Sequence, residues 1–219
     1  MRRLSSALIL AALALALPLL AAAQDGDIDK INGSVHVDAG QKVGNVSTVN
    51  GEVHIADGAS VHKGSTVNGS MDLGSKTQAG ELSTVNGSIT LGDGSHVSGE
   101  VTSVNGSLHL APGAEVGGKL GNVNGAIMLD DAHVAGGIDT VGGDITVGAN
   151  SHVEGGILVE KPGGWFNWNS RTPVVVIGPH AVVQGTLEFR RDVVLKVSDS
   201  AQIGPVKGAT PVKFSGAMP

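Results

Sequence analysis

A short string, Val-Asn-Gly or a near variant, recurs along the chain at Asn32, Asn50, Asn68, Asn86, Asn105 and Asn124, and Val141-Gly142-Gly143 takes the seventh place. The spacings are 18, 18, 18, 19, 19 and 18 residues. A fixed period of this size marks stacked repeats, each too small to bury its apolar face alone. A shorter period runs inside it. Every sixth residue from Val37 to Val97 is Val, Ile, Leu or Ala: Val37, Val43, Val49, Ile55, Val61, Val67, Leu73, Ala79, Val85, Leu91 and Val97. Six is neither the 3.6 of an α-helix nor the 2.0 of a simple strand. Three sixes make one repeat, so each repeat reads as one turn of a three-sided coil. The fold class is therefore all-β: a single-stranded parallel β-helix, or β-solenoid, with about 18–19 residues per three-sided rung.

Physical chemistry accounts for the residue types. Strands in such a coil stack on their equivalents about 4.8 Å away, so like side chains form columns. Val, Ile and Leu are expected inward. Asn-Gly is expected at a corner where a positive φ suits Asn and Gly. The six Asn are expected to form a buried or half-buried ladder, each amide donating to the next carbonyl. The narrow interior explains the composition: 34 Gly, but only 2 Trp, 3 Phe and no Tyr among 219 residues. Collagen is excluded because Gly does not recur at every third place. The absence of Cys excludes disulfides, thiolate metal sites and cysteine nucleophiles. The 19-residue rungs place one extra residue at a corner, where Ala79-Gly80-Glu81-Leu82 becomes Val97-Ser98-Gly99-Glu100-Val101.

Four segments are predicted. Residues 1–23 read as a signal peptide: Arg2 and Arg3, an apolar run from Ala7 to Leu20, then Ala21-Ala22-Ala23 before Gln24. Residues 24–30 are a short polar segment. Residues 31–204 form the β-helix, interrupted at 160–173 by a lateral loop with both Trp. Residues 205–219, which include Pro205, Pro211 and Pro219, are expected to be a flexible tail. Cleavage removes two Arg and takes the formal charge from −6 to −8. That balance argues against nucleic acid and anionic lipid surfaces. The expectation is an exported protein, periplasmic or secreted, with no membrane span after cleavage.

The V-N-G-S-I-x-L and G-x-x-V-x-G units, with Val176-Ile177-Gly178, Gly185-Thr186-Leu187 and Ser200-Ala201-Gln202-Ile203-Gly204, resemble the bactofilin or polymer-forming cytoskeletal family. The resemblance covers 31–204. It implies a compact parallel β-helix that polymerises end to end without nucleotide. Members of that family are cytosolic, so the export pattern implies an exported relative. The V-N-G-x-I string is also similar to putative adhesin repeats of bacterial envelope proteins, which implies a carbohydrate- or surface-binding alternative.

No catalytic residue, cofactor or metal is expected. Ser60, Gln78, His96, Glu115, His133 and His152 share one column by rung alignment, and His36 and His54 share another. Both columns read as outward, solvated strand positions, and no zinc motif of defined spacing is present. His180, beside an irregular loop, is the one candidate for hexapeptide-acyltransferase chemistry and is set aside. Neither G-x-S-x-G nor H-E-x-x-H occurs. Trp165, Phe166 and Trp168 form the only aromatic cluster, a partner-binding patch or a capping flap. Ile31 and Val35 mark the first rung, whose unpaired edge is the expected site of self-association. The expected partner is a second copy of the chain, with a cell-envelope component as a further one.

Mass spectrometry of the envelope fraction is expected to find Gln24 as the N-terminal residue. Recovery of the intact Met1 form from the cytosol would contradict the export reading.

Overall fold

The computed structural model describes residues 26–163 and 171–217, so the expected signal peptide, Gln24 and the Trp cluster lie outside the described residues. No described helix is long and apolar enough to cross a membrane. The first rungs set the pattern. They are β1 (Ile28–Asn32), β2 (Val35–Val37), β3 (Lys42–Asn50), β4 (Val53–Ile55), β5 (Ser60–Asn68), β6 (Met71–Leu73) and β7 (Gln78–Asn86), followed by β8 (Ile89–Leu91), β9 (His96–Val97) and β10 (Val101–Asn105). Every pairing is parallel and joins a strand to its equivalent one turn away, as in Val35↔Val53↔Met71↔Ile89. One sheet of ten strands runs from β2 to Val212–Phe214 and forms one face. A sheet of 16 strands wraps the other two faces. It wraps them because β3, β5 and β7 each run nine residues unbroken round a corner. The coil is thus a three-sided parallel β-solenoid of ten turns.

The one-residue insertion falls where the sequence indicates. Gln78 and Ala79 pair with His96 and Val97, an offset of 18, whereas Leu82 pairs with Val101, an offset of 19. The added residue breaks the nine-residue strand in two, and every later rung keeps the break. Columns of Val, Ile and Leu fill the interior: Val37, Ile55, Leu73, Leu91, Leu110, Leu129, Val147, Ile177 and Val197 are all buried.

Four expectations need correcting. The Val before each Asn-Gly is not inward: Val67 is 40% exposed, and Val49 and Val85 are half-buried. The inward places of that face hold Val46, Leu82 and Val101, alternating with Thr48, Thr66, Thr84 and Ser103. Those hydroxyls are buried because they answer turn carbonyls: Thr48 donates to Gly33 O (3.0 Å), Thr66 to Gly51 O (3.1 Å), Thr84 to Gly69 O (3.1 Å) and Ser103 to Gly87 O (3.0 Å). Secondly, positive φ is kept at the first and last Asn-Gly corners alone, Gly33 (101°) and Gly125 (119°). Gly51, Gly69, Gly87 and Gly106 have ordinary φ; a Cβ on each would overlap the carbonyl of the glycine one turn earlier. The left-handed corner lies elsewhere, at Gly40, Gly58, Lys76, Gly94 and Gly113, where side chains have room.

Thirdly, the coil starts before residue 31. Ile28 pairs with Val46, and the Asp27 carboxylate accepts from the Asn45 N–H at 2.6 Å. Fourthly, the expected flexible tail is the last rung. Val206–Lys207 pairs with Leu187–Glu188, and Val212–Phe214 with Lys196–Ser198. Pro205 and Pro211 each precede a strand, where the missing N–H is tolerated.

Gly87→Ala is expected to cost about 3 kcal/mol through overpacking against backbone that cannot move aside. Gly94→Asn is expected to cost within about 1 kcal/mol, since Asn tolerates the left-handed region. Denaturant unfolding of the two variants checks this ordering.

Candidate functional site

The Asn ladder forms as a continuous chain of amides. Asn50 Nδ2 donates to Asn32 Oδ1 (3.1 Å), Asn68 to Asn50 (3.0 Å), Asn86 to Asn68 (2.9 Å), Asn105 to Asn86 (3.0 Å) and Asn124 to Asn105 (3.1 Å). It differs from the expectation in place. Asn32, Asn50, Asn68, Asn86 and Asn105 are exposed, and Asn124 is half-buried, so the ladder edges the outside of the coil. It stops at Gly142, around which Asn124 Oδ1 and the Arg191 guanidinium gather. Arg191 Nη1 also donates to Val141 O at 3.0 Å.

The lateral loop opens one rung later, between Ile157–Val159 and Val174–Ile177. Trp165, Phe166 and Trp168 lie outside the described residues, but both stems are anchored. The Arg171 guanidinium meets the Asp144 carboxylate, whose other oxygen accepts from the Val174 N–H (2.9 Å). Glu160 meets Arg190 at 2.6 Å. His180 sits at a left-handed corner, exposed, its N–H bonded to the Ser200 hydroxyl at 3.1 Å.

Ile31 and Val35 part company in the structure. Val35 is buried at 1% exposure in the core, whereas Ile31 is 73% exposed on β1. Among the described residues, β1 pairs only with β3, and β2 only with β4, so both present an open edge. At the opposite end the edges belong to Gln202–Ile203, Val206–Lys207 and Val212–Phe214. The columns that begin at one end can be followed to the other. The column of Asp29 runs through Ser47 and Ser65 and finishes at Glu188 and Lys207. The inward column of Ile28 finishes at Val206, and that of Val43 at Ile203. A further inward column, that of Val37, finishes at Lys213, whose ammonium bends to Ser198 O at 3.5 Å.

On the outer faces the two His columns align as the register requires. The rings of His36 and His54 stack at 5.0 Å and 8°. His96 Nδ1 meets Glu115 at 3.1 Å. His133 and His152 sit edge to face at 5.4 Å. The sequence reading missed Glu154. It lies off the column, two residues past His152, yet its carboxylate reaches back one rung to His133 Nε2 at 3.0 Å.

A shallow depression lies between Lys119, Asp139, Leu158 and Glu188. Lys119 donates to Asp139 at 2.9 Å, and that hydrogen bond raises its ammonium above the ordinary value. The hydrogen bond from Arg190 holds the Glu188 carboxyl below the usual range. Both are surface ion pairs. Comparison with protein-family profiles, with curated proteins and with solved structures finds no match, so the functional reading rests on this chain's own geometry.

Asn86→Leu removes two ladder bonds, and thermal unfolding is expected to show a loss of about 1–2 kcal/mol. Thr90→Leu, on a neighbouring outer position without a bond, is expected to stay within about 0.5 kcal/mol. Equal losses would mean that the amides add nothing.

Proposed function

We propose that the protein is an exported, non-enzymatic assembly protein that associates head to tail through its ends, in the manner its resemblance to bactofilins implies. The observation that carries this reading is the match between the two ends. Stacking a second copy in register on the first would continue Ile28 from Val206 and Val43 from Ile203, and would set Asp29 beside Lys207. Apolar columns would close over apolar columns, and the outer charges would be of opposite sign. A head-to-head contact would instead bring the Asp27 and Asp29 carboxylates of two copies together, which like-charge repulsion disfavours. A heterologous contact of this kind does not close on itself and gives linear growth.

The non-enzymatic part is supported by the chemistry of the depression. Its ionisable groups neutralise one another or a neighbour in surface pairs, Lys119 with Asp139 and Glu188 with Arg190. The third face opposes growth. Lys213 stands where the Val37 column would continue, a charge of the kind that guards sheet edges. The contact then rests on two faces, which makes association weak and sensitive to this residue.

Sedimentation velocity on the exported, untagged chain at tens of micromolar tests the proposal. Ile31→Lys is expected to reduce association and Lys213→Val to strengthen it. Val67→Lys, in the same outer column as Ile31 but in the body of the coil, should change neither. A monomer throughout, unchanged by Lys213→Val, overturns the reading; equal loss from Val67→Lys assigns the contact to the flank.

A further inference from the structure

The parallel register places His133 directly beside His152, one rung apart on an outer face. Two imidazoles alone are a weak site. What changes their standing is Glu154. One ligand atom from each of His133, His152 and Glu154 can be chosen so that all three lie within 4.8 Å of one another. The next rung adds Gln184, whose amide nitrogen lies 3.0 Å from His152 Nε2, so a half-turn of the amide would bring its carbonyl oxygen, the ligating atom, to that place. Three donor types therefore converge on one patch: two imidazole nitrogens, a carboxylate and an amide.

The backbone beneath is fixed. His133 N–H donates to Ala114 O, His152 to Ala132 O, Glu154 to Val134 O and Gln184 to Val153 O, each at 2.9 Å. Val134 and Val153, the inward neighbours of the two His, are fully buried. The side chains thus rise from a rigid platform and need only rotamer adjustments. A tetrahedral ion with bonds of about 2.0–2.1 Å wants its ligand atoms roughly 3.4 Å apart. His133 Nε2 and Glu154 Oε1 already stand at 3.0 Å. His152 closes the remaining gap by a turn about its side-chain bonds, with Gln184 or water in the fourth place.

We propose that His133, His152 and Glu154 form a binding site for a divalent transition-metal ion, zinc being the probe of choice. Nitrogen-rich donors suit Zn²⁺, Ni²⁺ and Cu²⁺, whereas Ca²⁺ and Mg²⁺ require oxygen cages. The ion would join adjacent rungs from outside and stabilise the folded coil by linkage. The remaining His pairs have fewer donors: His96 meets Glu115 alone, and His36 and His54 stack with only Asp38 near, at 3.5 Å from His36.

Calorimetric titration of the untagged chain with zinc sulfate tests this. The expected result is one equivalent of zinc per chain, no binding of calcium, and a zinc-dependent rise in Tm. His152→Asn and Glu154→Gln should each weaken zinc binding at least tenfold and abolish the rise in Tm. Both side chains point outward, so a melt without metal should match the parent, and Glu154→Gln keeps the shape of the side chain. His54→Asn should leave binding unchanged. Cobalt bound in place of zinc should give the visible bands of a four-coordinate site, lost in His152→Asn. Zinc bound with parent affinity by a His133→Asn/His152→Asn variant overturns the proposal, as does loss of binding in His54→Asn or no one-to-one uptake.

Discussion

The structure depends on backbone lying directly on backbone at the Asn-Gly corner. Parallel strands fix the rise between rungs at about 4.8 Å. At a corner the chain has no strand partner to spread the contact, and the turn of one rung rests on the carbonyl of the rung before. A side chain there would have to occupy the same space. Gly51, Gly69, Gly87 and Gly106 are therefore glycine for reasons of approach, not of φ. Once the corner is closed, its carbonyl lies within reach of the inward hydroxyl of the next rung. An unanswered buried carbonyl costs more than a made hydrogen bond returns. Thr48, Thr66, Thr84 and Ser103 answer it, and this is why a hydroxyl column runs through an otherwise aliphatic interior. Two features of the repeat that look unrelated in sequence, the Gly after Asn and the Ser or Thr two places before it, are one device.

The same device shows what sequence could and could not disclose. The period of 18 or 19, the three sides and the site of the inserted residue were all legible, because each is a matter of spacing and the register preserves spacing. The Asn ladder was legible because identical amides at identical places can only stack. Direction was harder. A residue at period six can face in or out, and hydropathy favoured reading Val49, Val67 and Val85 as core. In the fold their faces are set by pleat alternation from Val46, and hydroxyls take the inward places. The tail was misjudged for a similar reason. Three Pro and few apolar residues suggest a loose end, yet a terminal strand needs only one neighbour, and Ile203, Val206 and Ala209 supply partly buried apolar contacts against the core.

Candidate sites separate along the same line. His133 and His152 were legible as neighbours, since both sit in the column before an inward Val. Glu154 was not, because the carboxylate reaches across a rung from a corner position, and side-chain reach has no period. The ends were legible in outline only. Ile31 and Val35 belong to the same rung, but one lies outside and the other in the core. The corner at Gly33-Ser34 puts them on different strands, β1 and β2, so nearness in sequence does not give them the same side of the wall.

In a solenoid every interior rung is both supported and supporting, so its chemistry is repeated and largely self-satisfied. Function has two places left to go. One is the end, where a column stops and its last member lacks a neighbour. The other is the outer face, where a column can change residue type without disturbing the core. This chain uses the freedom of the outer face unevenly. The column that starts at Lys42 passes through Ser60 and Gln78, turns to His96, Glu115, His133 and His152, and then reverts to Val182 and Gln202. Simple solvation would be served by any polar residue in those four rungs, yet three imidazoles and one carboxylate stand there, His96 within hydrogen-bond reach of Glu115 and His133 of Glu154. At the end the logic is opposite. Lys213 breaks an apolar column that nine rungs have kept, and it does so at the last place where a charge can be admitted without burial. A column interrupted only at its exposed terminus limits how readily another chain can continue it, while leaving the coil itself intact.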